Sequence, residues 1–177
     1  MSKSKILSLG SVCLAGAVAA TLGLGGNAFA GGSTSATYNC KDLSLGTDYT
    51  GVTGTLSSTA THKLRFVTQL NMPVAVSANQ LTTTAKLDST SGPLTYSGTV
   101  NDPIAAGSPS TVGLGALPLT GGSITSGTLT TPLGTGSTPT VPSATNWSVS
   151  IDVSAVSGIP GHKIACVLGG PQQSFAY

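Results

Sequence analysis

The side chains in this sequence that could do chemistry are few. They are three cysteines (Cys13, Cys40, Cys166), two histidines (His62, His162) and five acids, all aspartate (Asp42, Asp48, Asp88, Asp102, Asp152). Serine is plentiful, so a Ser-His-Asp nucleophile system is open on residue types alone. However, His62 opens the inward face of a predicted strand, and His162 follows the turn Gly158-Ile159-Pro160-Gly161. A packed histidine and a loop histidine are the expectation. Hydrolysis by paired carboxylates needs two acids facing each other, and the aspartates are scattered, with no glutamate to supplement them. A zinc site needs more ligands than two exported cysteines and two distant histidines supply. No Gly-x-Ser-x-Gly elbow, phosphate-binding glycine motif, His-Glu-x-x-His or Cys-x-x-Cys is present. The reading is therefore a chain without catalytic, cofactor-binding or metal-ligating residues.

Two short motifs invite a functional reading. Leu117-Pro118-Leu119-Thr120-Gly121 resembles the signal that sortases cleave between threonine and glycine. That signal is followed by an apolar segment and a basic tail, whereas the polar stretch 122–177 follows here. A strand leading into a turn is expected instead. Asn146-Trp147-Ser148 fits the N-glycosylation pattern, but it sits in a predicted strand whose tryptophan points inward.

These groups must be positioned outside the cell. Lys3 and Lys5 precede an apolar run from Ile6 to Leu24, and Asn27-Ala28-Phe29-Ala30 supplies small residues for cleavage between Ala30 and Gly31. Residues 1–30 read as a secretory signal, with Cys13 an apolar passenger in it. The mature chain keeps five bases (Lys41, Lys63, Arg65, Lys86, Lys163) against five acids. A neutral, sparsely charged surface gives no steering toward nucleic acid or anionic membrane. Cys40 and Cys166 are then the only cysteines left, and in an exported chain they are expected to pair.

The mature chain has the length of one domain. The 177 residues contain 24 serines, 26 threonines and 24 glycines, with 7% charged residues, a composition of strands and turns rather than helices. Period-two alternation marks the strands. Trp147, Val149, Ile151 and Val153 point one way, with Asn146, Ser148, Ser150 and Asp152 on the other, solvated face. Leu64, Phe66, Leu70 and Met72 are inward in 62–72, with Lys63 and Arg65 outward. Residues 83–88 and 94–100 form a hairpin around Ser91-Gly92-Pro93. Further strands are expected at 38–43, 112–119, 123–130 and 164–168. Trp147, the sole tryptophan, is expected in the core. Residues 31–37 read as a flexible start, 38–177 as one domain, and 131–145 as a Pro/Thr-rich solvated loop whose Thr-Pro pairs could carry O-linked sugar. The architecture expected is an all-β, antiparallel sandwich closed by one disulfide, with an antiparallel barrel as the alternative.

The signal, Tyr38-x-Cys40 at the mature start and Cys166 near the end together resemble a family of uncharacterised secreted domains of high-GC Gram-positive bacteria. That resemblance implies an immunoglobulin-like sandwich outside the cell and no established activity. The function expected is a non-catalytic secreted or cell-surface structural or binding module. Its partners would be cell-wall glycan or another copy of itself, with neither nucleic acid nor membrane after cleavage. The alternative is a secreted protease inhibitor acting through the 131–145 loop or the Gly158–Gly161 turn, or a small extracellular hydrolase.

Overall fold

The computed structural model describes residues 31–72, 74–99, 101–107, 109–113, 116–155 and 160–177. The expected signal segment, including Ala30 of its cleavage junction, lies outside the described residues, as do Gly158 and Ile159 of the Gly158–Gly161 turn. Eleven strands are described: β1 (Ser33–Asp42), β2 (Asp48–Ser58), β3 (Leu64–Asn71), β4 (Leu81–Ser89), β5 (Gly92–Gly98), β6 (Pro109–Gly113), β7 (Leu119–Gly121), β8 (Thr128–Thr130), β9 (Val149–Val153), β10 (His162–Leu168) and β11 (Ser174–Ala176). All their pairings are antiparallel. The fold is all-β, as the composition predicts.

The ladders join into one curled sheet that meets itself. From β4 the hydrogen bonding runs through β9, β10, β1 and β2 to β3. The strands β6 and β7, with Leu117 before β7, then make the return. They pair with β3 through β6 and through a bridge between Leu64 and Leu117, and β7 crosses to β5, which pairs with β4. Closure pairs the strands of the ring on both sides, while β6 and β11 end the hydrogen-bonded order. Inward-facing Tyr38, Leu56, Phe66, Leu81, Leu94 and Ile151 fill the core, each 2% exposed or less. Tyr38 and Phe66 meet edge to face, with ring centroids 5.8 Å apart, a favoured aromatic geometry.

The wall has one seam. β4 pairs with β9 over Leu81–Ala85 and with β8 over Asp88–Ser89, changing partner at Lys86-Leu87. Across the seam β1 pairs with β10 over Tyr38–Asp42, while the Gly32 N–H donates to the Ala176 carbonyl at the end of β11. The chain between β8 and β9, which holds the Pro/Thr-rich loop, therefore leaves one side of the seam and returns on the other.

Several expectations are corrected. Residues 33–37 are not a free start: they form the first half of β1, paired with Thr53–Ser57 of β2. The sequence 112–130 holds three short strands rather than two long ones, because Pro118 interrupts the donors where the chain changes partner. Ser148 and Ser150, expected to meet water, are buried at 3% and 1%. Their hydroxyls donate to the Cys166 carbonyl and to Asp152 Oδ2. Gly51, at φ 69°, lies where the β1–β2 register shifts by one residue. That left-handed conformation suits glycine.

Candidate functional site

Cys40 and Cys166 form the disulfide, as expected, across a sequence separation of 126 residues. Their strands are hydrogen-bonded neighbours and the cysteines face each other directly in the ladder. The bridge thus staples two adjacent strands rather than spanning the core between facing layers.

The two histidines exchange the environments expected of them. His62 lies outside β3 in the Thr59–Lys63 turn, at φ 56°, with its side chain exposed. The inward face starts only at Leu64, because Thr59 closes the turn on His62 and Lys63 before the strand begins. The His62 ring lies over Tyr177, centroids 5.0 Å apart, and its carbonyl accepts the Tyr177 hydroxyl. His162, expected in a loop, opens β10 and is 5% exposed. Its Nδ1 lies 3.1 Å from Asp42 Oδ2. Asp42 is fully buried at 0%, and its Oδ1 accepts the backbone N–H groups of Ser44 and Leu45 at 2.8 and 3.0 Å. The carboxylate holds the β1–β2 turn, and that turn's Leu43 N–H donates to the Lys163 carbonyl of β10. One buried acid joins three strands. Its effect reaches Tyr49, whose phenol is raised by burial and then by this carboxylate.

A second polar constellation sits at the seam. The outer face of the β4–β5 hairpin presents Lys86 and Asp88, two apart on β4 and so on the same side, opposite Thr95 and Pro93 of β5. The loop supplies the facing wall through Pro132, Leu133, Thr135, Thr145 and Trp147. The cleft between them has a volume of about 290 Å³. Lys86 Nζ lies 3.5 Å from the centroid of the Trp147 ring, a cation–π arrangement. Burial, and secondarily the Lys163 charge, hold the Lys86 ammonium below the ordinary lysine range. Among the described residues the ion pairs of lysine or arginine with aspartate are Lys41–Asp48 and Lys163–Asp152, so neither Lys86 nor Asp88 is paired.

Trp147 is the main departure from the alternation. Val149, Ile151 and Val153 are in the core as read, but Trp147 is half-buried and outside it. The reason is its neighbour. Asn146 is 8% exposed, and its Oδ1 accepts the Thr135 N–H at 2.7 Å. Its Nδ2 donates to the carbonyls of Thr138, Pro139 and Val141. That amide organises the whole loop, so the strand begins only at Val149 and the indole is turned toward the cleft. The loop is irregular, as expected, yet built: Gly134 packs directly on the Pro139 carbonyl, and Asn39 Nδ2 of β1 donates to the Thr140 carbonyl. With its Nδ2 bound to three carbonyls, Asn146 does not present a free amide for glycosylation.

The sortase-like motif is equally committed. Leu117 is 0% exposed and exchanges both backbone hydrogen bonds with Leu64. Leu119 and Gly121 pair with β5, so the segment is part of the wall rather than a free extended substrate. Among the described residues there is no group of three or more His, Cys or Asp that could hold a metal ion, and no helix long and apolar enough to cross a membrane. Compared with protein-family models, curated proteins and solved structures, the chain matches none. Lys86 escaped the sequence reading because a lone lysine on a solvated strand face is ordinary. Its spacing from Asp88 was the one available signal.

Proposed function

We propose that this chain is a non-catalytic module that works outside the cell, as a binding or structural protein whose partner is cell-wall glycan or another copy of itself. The observation that carries this reading is the use of the Asp42–His162 pair. A catalytic histidine needs one ring nitrogen facing a nucleophile or substrate, but this ring is only 5% exposed, enclosed in the wall of the sheet. The pair works as a fastening of the sheet. The Cys40–Cys166 bridge supports an oxidising compartment, and the balanced, sparse charge of residues 31–177 supports a partner recognised through hydroxyl and apolar contacts rather than through net charge.

Co-sedimentation tests the proposal. The disulfide-bonded protein, mixed with isolated cell wall at moderate salt, is expected in the pellet, or else to form a defined oligomer in sedimentation velocity. Protein that stays in the supernatant and sediments as a strict monomer would overturn it.

A further inference from the structure

The geometry points to the seam cleft as a carbohydrate-binding site. In it Lys86 and Asp88 hold adjacent hydroxyls of a sugar ring, against an apolar wall made by Leu133, Pro132 and the exposed part of Trp147. This rests on the binding-module reading above and names its site and ligand class.

Three independent features converge there. The first is chemical. A cation and a carboxylate, unpaired with each other or with any described residue, project from one face of one strand. An ammonium donates and a carboxylate accepts, so together they match two neighbouring hydroxyls, one as acceptor and one as donor. Thr95, Thr135 and Thr145 add hydroxyls that can do either. The second is the apolar surface. Leu133 is 58% exposed and lines the cleft together with Pro132 and Trp147. Beside a half-buried indole it offers a C–H-binding surface to the flat side of a sugar ring. The third is rigidity. The wall is held by the Asn146 amide through Thr135, Thr138, Pro139 and Val141, so it is organised before any ligand arrives. The polar floor lies where β4 changes partner between β9 and β8, with Asp88 exposed and Lys86 half-buried beside the Trp147 ring.

The sole tryptophan makes the test direct, because all indole emission comes from this cleft. The disulfide-bonded protein is titrated with cellohexaose, chitohexaose and mannohexaose to about 10 mM, where a site with Kd near 1 mM is close to saturation. At least one sugar is expected to shift the Trp147 emission saturably and to protect it from acrylamide quenching. Asp88→Asn and Lys86→Gln are each expected to weaken that sugar about tenfold or more, as loss of a charged hydrogen-bond partner predicts, with the melting temperature within about 5 °C of the parent. No emission change with any of the three, or binding that both variants leave intact, would overturn the site. The sugar is also recovered and chromatographed. Shortened products would overturn the non-catalytic reading while the site stands. Wall co-sedimentation without any indole response would leave that reading standing and remove the site.

Discussion

Two regions of the molecule set a charged group against a ring, and they differ in what surrounds it. At Asp42–His162 both partners are buried, and the carboxylate accepts three hydrogen bonds. At Lys86–Trp147 the cation is half-exposed, unpaired with any described carboxylate, and seated over an indole beside a cleft. A buried charge with satisfied partners is a structural fixture, because removing any partner strands the rest away from water. A charge left without an acid at the edge of a rigid cleft contributes little to folding and is available to a ligand. Residue types alone favour the opposite assignment, since a His-Asp pair is the more familiar catalytic sign. Environment decides between them.

The sharpest way to break this comparison is Asp42→Ala. It leaves two turn amides and the His162 ring without their acceptor, and a loss of about 3 kcal/mol is expected. Urea unfolding followed by circular dichroism reads it. A change below about 1 kcal/mol would mean that the pair does not fasten the sheet. Next comes Asn146→Ala, which releases three carbonyls and the Thr135 amide. A cost of about 2 kcal/mol is expected. It should be accompanied by a red shift and easier quenching of Trp147 emission, and unchanged emission would show that the loop holds itself. The smallest effect belongs to Lys86→Gln. A cation–π contact at a partly exposed site is worth up to about 1 kcal/mol. Burial and Lys163 already act against the charge, so stability should stay within about 1 kcal/mol of the parent. A larger loss would place Lys86 with Asp42 among the fastenings and would erase the contrast.

Much of this was legible along the chain. The all-β class follows from Thr, Ser and Gly in place of helix formers, and the inward positions of β3 and β9 follow from period two. The Cys40–Cys166 pair follows from counting the cysteines left after the expected signal is removed. These are local or arithmetic properties, set by side-chain sterics and stoichiometry. The mistaken expectations fall where an element ends. His62 continues the alternation on paper, yet a left-handed turn takes it out of the strand. Trp147 continues it too, yet Asn146 spends its amide on the loop and delays β9 to Val149. Residues 33–37 look like a loose start until β2 lies beside them.

What the sequence determined by itself is therefore the composition of the wall, the core-facing residues of β3 and β9 and the identity of the bridge. Only the tertiary structure decided that β6, Leu117 and β7 would pair with two strands and close the sheet, that His162 would meet an aspartate 120 residues away, and that Lys86, Asp88 and Trp147 would line one cleft. The physical reason is that alternation records burial within a strand. Hydrogen-bond partners across strands depend on register and on which distant segment arrives, and a seam exists only once β4 has two different neighbours.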